Sequence, residues 1–272
     1  KLVTIITKKA QSGSLATYER NMLKQVNAVL KKLKKATPEL VQQLVLEGWD
    51  GGIDGAVQDL LKQGVNQTPV YNLFSKLNVD QINLLAQNTT DSLTKAVNVV
   101  GRRFEDELRE AGLRANVGKV ATGGTVKSMQ KDLAKRLMGI DQTKQANGTL
   151  GVKYRNGKVV SIDTYTKMVA RTTTAESQNK SKIVQGGDWG YDLVRITTHF
   201  PTCEVCAKYQ GRVYAITKEA AKGKYKDKNG KPLSFPYLYD TALWHGYETI
   251  HPNCKHRMSL FVARAYTKEE LA

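Results

Sequence analysis

The sequence predicts an α+β chain, with a mainly α-helical N-terminal region over residues 1–146 and a small α+β module over residues 147–272. Three observations predict it. Apolar residues recur at helical spacing through residues 12–140, and from about residue 147 they alternate with polar ones. An Asn156-Gly157 pair sits inside the alternating stretch, where both residues tolerate the positive φ of a hairpin turn. All three cysteines and all four histidines fall in the second part. Four of these seven form the pairs C-x2-C and H-x2-C, a metal-ligand spacing that makes a zinc site the expected staple of the module.

Each element follows from a local pattern. Met22, Val26, Val29, Leu30 and Leu33 make one helical face, with Lys31, Lys32, Lys34 and Lys35 opposite. Thr37 and Pro38 read as the N-cap and first residue of a second helix. Gly51, Gly52 and Gly55 around Trp49 predict a break there. "LNVDQINLLAQ" opens a further helix near Asp80, and Val97, Val100, Phe104 and Leu108 form an amphipathic stripe stopped by "AGLRANVG". "GGTVKSMQKDLAKRLMGI" adds a short helix. Beyond the hairpin, Tyr165, Met168, Val169 and Thr172 mark a helix ending near Gly186-Gly187. "YDLVRITTH", "GRVYAI" and "HRMSLFV" are strands, and "KGKYKDKNGKPLSF" is a basic, mobile loop.

Lys plus Arg total 42 against 25 acids, a net charge of +17. A charge of that size implies a polyanionic neighbour, nucleic acid or an anionic membrane surface, and the plainer reading is a solvated basic surface. Phosphate attraction of this origin is largely independent of base sequence. No run of apolar residues is long enough for a transmembrane helix, and "KLVTIITKKAQ" is too short and polar for a signal peptide. Three cysteines cannot all pair within one chain, which points to a reducing compartment rather than a disulfide scaffold.

The chemistry concentrates in "PTCEVC" and "HPNCKHR". A two-residue gap lets a tight turn aim two side chains at one ion, and two such pairs supply three thiolates and one imidazole for tetrahedral Zn2+. The expected ligands are Cys203, Cys206, His251 and Cys254. His256, two residues past Cys254, is the alternative to His251 or a support for the site from outside the ligand set. The zinc would be structural, and a Cys254→Ser change would unfold the module while leaving the N-terminal helices largely intact.

Other readings of these residues carry less. A redox C-x2-C pair usually sits at a helix N-terminus in a βαβ setting, whereas this one follows a strand and precedes a turn. Three unrelated buried thiols are a further reading. The nucleobase-deaminase signature fails, because Thr202 separates Pro201 from Cys203 and no H-x-E motif precedes it. Glycine-rich "EGWDGGIDGAV" lacks the spacing of a phosphate-binding loop. A zinc-dependent HNH-like nuclease would take His199, His245 or His256 as base, but no carboxylate-rich second metal site is evident.

Three segments in order resemble the phage minor capsid protein 2 family, relatives of phage head-morphogenesis proteins. They are "YTKMVARTTTAESQN" with its Arg171-Thr172 pair, "WGYDLVRITTHFPTCEVCAKYQGRVYAI" and "HPNCKHRMSLFV", together covering roughly residues 163–263. The resemblance implies a virion structural protein of a few copies per particle, inside the head near the portal, aiding assembly, DNA packaging or ejection. It implies portal and/or major capsid protein as partners of the helical region, and packaged double-stranded DNA met through nonspecific phosphate contacts. It carries over no catalytic residue, so a non-enzyme is expected, assembled in the host bacterial cytoplasm. Arg171 reads as a structural residue on the helix surface. The alternatives are the nuclease above and a non-enzymatic DNA-binding module.

Overall fold

The computed structural model describes residues 15–65, 76–122, 152–154, 157–241, 250–252 and 254–266. In chain order the elements are α1 (Leu15–Lys62), α2 (Lys76–Thr122), β1 (Val152–Lys153), β2 (Val159–Val160), α3 (Ile162–Asp188), β3 (Leu193–Ile196), α4 (Glu204–Ala207), β4 (Val213–Ala215), α5 (Lys218–Ala221), β5 (Tyr225–Lys226), β6 (Pro232–Leu233) and β7 (Met258–Leu260). The chain is therefore α+β, with long helices first and a small sheet region after them. Two compact units form: Lys1–Glu39 with Thr90–Lys167, and Leu40–Thr89 with Met168–Ala272. The expected boundary at 146/147 and the short helix expected after residue 122 lie outside the described residues.

In the first unit, Met22 and Val26 are buried on α1, and Ala96 and Phe104 on α2. Leu33, expected on the same apolar face, is exposed. A Cβ at Gly101 would stand 2.6 Å from Leu30 Cδ1, so this glycine sets how closely α2 meets α1. The expected hairpin is present, although Asn156 lies outside the described residues. Gly157 has φ +83°, and β1 pairs antiparallel with β2, Val152 opposite Val160. Ser161 then starts α3 as its N-cap, its Oγ accepting from the Thr164 N–H at 3.1 Å.

Two expectations about α1 are corrected. No new helix begins at Thr37-Pro38, and no break occurs at Gly51–Gly55. One helix runs from Leu15 to Lys62 with Pro38 inside it. Thr37 does not cap; its Oγ1 donates back to Leu33 O at 2.7 Å, inside the helix. The glycines serve packing. Gly48 and Gly52 are one turn apart on the face toward α3, and Cβ atoms there would sit 2.9 Å from Ser177 Cβ and 2.5 Å from Gln178 O. Ser177 Oγ uses the close approach to donate to Val45 O at 2.6 Å. Trp49 and Ile53, from the same stretch, are fully buried. Likewise α2 begins at Lys76 rather than near Asp80, and it runs through the expected stop to Thr122.

The sheet of the second unit has the order β4-β3-β7, all antiparallel. Strand alternation sorts its side chains onto two faces. Val194, Ile196, Tyr214, Met258 and Leu260 join Ala56, Leu60 and Ile183 in one core, which also contains Cys206 and Cys254. Leu193, Val213, Ala215 and Phe261 join Leu233 and Phe235 in the other.

The outer edge of β7 would expose backbone groups, and helix side chains satisfy them instead. Asn179 Oδ1 accepts from Met258 N at 2.9 Å, Asp59 Oδ2 from Leu260 N at 3.1 Å, and Gln63 Oε1 from Val262 N at 2.9 Å. Gln63 Nε2 donates in turn to Leu260 O at 2.8 Å. Asp59 also pairs with Lys182 at 2.8 Å, so its charge is matched where it is partly buried. In effect α1 and α3 act as the missing neighbour strand. They fix β7, and with it the segment that carries His251, Cys254 and His256.

Candidate metal centre

The cysteine and histidine side chains converge from two segments. The first leaves β3 through a cis Phe200-Pro201 peptide and turns into the single turn of α4. Cys203 is the N-cap of α4, with its Sγ accepting from Cys206 N at 3.4 Å. The pair thus opens a one-turn helix, where the sequence had predicted a turn. The second segment is a turn closed by Cys254 N donating to His251 O at 3.1 Å. It leads directly into β7.

Ligand atoms fall into two triads that share Cys206: Cys203, Cys206 and His251, and Cys206, Cys254 and His256. Within each triad these atoms lie within 4.8 Å of one another. His251 Nε2 is 3.4 Å from Cys203 Sγ and 3.1 Å from Cys206 Sγ. Cys206 Sγ is 3.7 Å from Cys254 Sγ, and Cys254 Sγ is 3.6 Å from His256 Nδ1. A tetrahedral ion with metal–sulfur bonds of ~2.3 Å and metal–nitrogen bonds of ~2.0 Å sets S···S edges of about 3.8 Å and S···N edges of about 3.5 Å. The observed separations lie close to those edges, so these residues can hold a metal ion. Of the expected ligands, Cys203, Cys206 and His251 meet in one triad, while Cys254 meets Cys206 and His256 in the other.

Both imidazoles are oriented in the way of metal-binding histidines. His251 Nδ1 lies 2.8 Å from Pro252 O, which can only accept, so the proton sits on Nδ1 and the Nε2 lone pair faces the thiols. His256 Nε2 lies 3.2 Å from Gln210 Oε1 and 3.3 Å from Thr202 Oγ1, leaving Nδ1 toward Cys254. Gln210 also accepts from His199 N at 3.3 Å. Thr202 and Gln210 escape a sequence reading, because Gln210 is 46 residues from His256 and an ordinary glutamine carries no motif.

The electrostatics are divided. The Cys206 backbone N–H, directed at Cys203 Sγ, pulls the exposed Cys203 thiol down to about 7. Burial pushes the Cys206 thiol up from its ordinary value, and Cys203 and Cys254 add to the rise. Burial, then the neighbouring His199, lowers His256 and favours its neutral form. A buried thiol beside other thiols ionises readily only when a cation joins it, the linkage that couples metal binding to proton release.

Of the nuclease candidates, His256 belongs to this cluster, and His199 lies beside it, ring centroids 5.9 Å apart. His245 lies outside the described residues. Neither triad contains a carboxylate. Arg171 is exposed on α3. No helix among the described residues is long and apolar enough to cross a membrane.

A family model described as phage minor capsid protein 2 matches residues 8–270. No curated protein and no solved structure matches the chain.

Proposed function

The chain belongs to the phage minor capsid protein 2 family and has a phage structural role; from that premise we propose that it sits inside the head near the portal vertex and serves assembly, DNA packaging or ejection without catalysing a reaction. The family match across nearly the whole chain carries this reading. The charge of +17 supports it, since a basic protein inside a DNA-filled shell meets phosphate at high density. Portal and major capsid proteins are the proposed partners of the helical region before residue 147, and duplex DNA the polyanion.

The cluster is proposed to hold one structural Zn2+ on Cys203, Cys206, His251 and Cys254. His251 is favoured because its Nε2 lies 3.4 Å and 3.1 Å from two thiols, whereas His256 Nδ1 lies 3.6 Å from Cys254 Sγ. His256 supports the site or replaces His251. The ion would join chain segments 48 residues apart, so its binding energy becomes folding energy for the region around the sheet.

Mass spectrometry of purified particles before and after DNA release tests the role. The protein should copurify with portal and capsid, and its absence from particles would sink the reading. Elemental analysis with native-state thiol alkylation tests the ion. One zinc per chain and three protected thiols are expected; a metal-free protein with every thiol alkylated would refute the site.

A further inference from the structure

We propose that the Cys/His cluster is a two-cation site in which Cys206 is the bridging thiolate. Its first ion is the structural zinc of the proposed function, on which this inference rests, and a second thiophilic cation enters when metal exceeds one per chain. Around a single tetrahedral ion every pair of ligand atoms is separated by no more than about 3.8 Å. The five donor atoms do not meet that condition as one set. At a limit of 4.8 Å they divide into Cys203, Cys206 and His251 on one side and Cys206, Cys254 and His256 on the other. Each triad by itself suits one ion. The first has its imidazole nitrogen 3.4 Å and 3.1 Å from two sulfurs; the second has separations of 3.7 Å between sulfurs and 3.6 Å from sulfur to nitrogen. With one ion bound, Cys254 closes on it as the fourth ligand. With two, Cys254 stays with His256, and Cys206 alone serves both.

His256 supplies the physical reason for a second ion. Its Nε2 lies 3.2 Å from Gln210 Oε1, and the same atom accepts from the His199 backbone N–H at 3.3 Å. An amide atom to which a backbone N–H donates is the oxygen, so the proton of the neutral imidazole sits on Nε2. Nδ1 is then a lone pair, 3.6 Å from Cys254 Sγ. A histidine that only supported a zinc-bound thiolate would donate a proton to its sulfur, and this nitrogen has none to give. Once Cys254 is a thiolate, the two lone pairs repel each other unless a cation lies between them. His199 stands beside His256, ring centroids 5.9 Å apart, and its buried Nδ1 has no hydrogen-bond partner, so a further imidazole nitrogen adjoins the second triad. Charge also admits the second ion, because one divalent cation leaves one of the three thiolates uncompensated. Soft sulfur donors select a thiophilic metal such as zinc rather than magnesium or calcium.

The test titrates the full chain, reduced and stripped by chelator, with Co2+, a paramagnetic stand-in for zinc at tetrahedral thiolate sites. Thiolate-to-cobalt absorption counts the equivalents bound. Uptake should continue through a second equivalent, weaker than the first. The electron paramagnetic resonance signal should rise over the first equivalent and fall over the second, because two cobalt ions sharing one sulfur couple antiferromagnetically. His256→Ala should stop uptake at a single equivalent and keep the signal at its maximum. Saturation of the unmodified chain at one equivalent would overturn the inference and leave the structural zinc standing. A signal that grows evenly through both equivalents would overturn the bridge, and a second equivalent retained in His256→Ala would overturn the ligand assignment. Should that variant fail to fold, the stoichiometry and signal of the unmodified chain decide alone. No uptake of any ion would instead sink the zinc reading itself.

Discussion

Two junctions in the second unit hold together segments remote in sequence, and they do it differently. At the seam of α1 and α3, glycines bring the backbones close, and Ser177 reaches Val45 O across 132 residues. Nearby, Asp59 meets both Lys182 and β7. Every polar group named there has its partner within the chain. At the Cys/His cluster, by contrast, five ligand atoms form two triads that share Cys206, and burial pushes the Cys206 thiol up. The chain completes the first junction alone. The second offers donors that a cation could satisfy.

The largest expected effect breaks the second junction. Cys206 belongs to both triads, so Cys206→Ser removes the ligand common to either choice of histidine. Structural zinc contributes about 10 kcal/mol or more of binding energy, and losing a shared ligand should cost about 5 kcal/mol of stability. Chelator should then shift the melting temperature of the unmodified protein but not of the variant. Because Ala56 and Leu60 of α1 share a core with Cys206 and Cys254, the damage should reach that part of the helix and spare the first unit. That narrows the expectation that all helices before residue 147 survive such a change. A variant as stable as its parent would erase the contrast between the junctions.

Next in size is the seam. Gly52→Ala places a methyl group against the Ser181 side chain and 2.5 Å from the Gln178 carbonyl, which cannot swing aside. Overpacking of this kind should destabilise by about 2–3 kcal/mol in urea unfolding. Gly51→Ala is the control. Its nearest neighbour would be Gln178 Nε2 at 3.5 Å, so helix propensity should leave it neutral or stabilised by up to ~1 kcal/mol. Similar losses at both positions would show that the glycines serve flexibility rather than approach.

The smallest effect is a pH dependence at Asp192, which holds Lys224 and Tyr225 at the start of the β5–β6 hairpin. Burial alone would raise the Asp192 carboxyl, but hydrogen bonds from Tyr225, Lys224 and Thr217 outweigh it and hold the group below its ordinary value. A depressed folded-state value stabilises above the unfolded pKa of about 3.9 and loses that contribution as pH falls through the folded one. Asp192→Asn should therefore cost about 1–2 kcal/mol at neutral pH, with the gap to the parent closing in acid. A gap that stayed constant into strong acid would remove the carboxylate from the account.

The fold was partly legible before any coordinates. The β1–β2 hairpin and strands β3, β4 and β7 follow from alternation and turn chemistry, which act over a few residues. The glycine stretch of α1 misled, because a local reading treats glycine as a helix breaker. Here burial of Trp49, Ile53, Ala56 and Leu60 offsets the propensity cost. Pro38 misled for a similar reason, since packing carries the helix past one missing hydrogen bond. The basic loop misled because its order comes from Asp192, Asp227 and a core contact rather than from its composition.

By itself the sequence determined which atoms can grip a cation and that they come in pairs, because donor chemistry and a two-residue gap are properties of short segments. It also determined the charge and the family. Only the tertiary structure decided that the pairs meet, that Cys206 stands at the centre of both triads, and which imidazole nitrogen faces sulfur. His251 and His256 are chemically identical side chains, and only Pro252, Thr202 and Gln210 around them distinguish their roles. The same holds for the glycines: an absent Cβ reads alike in sequence whether it loosens a helix or admits a neighbour, and the neighbour exists only once the chain has folded.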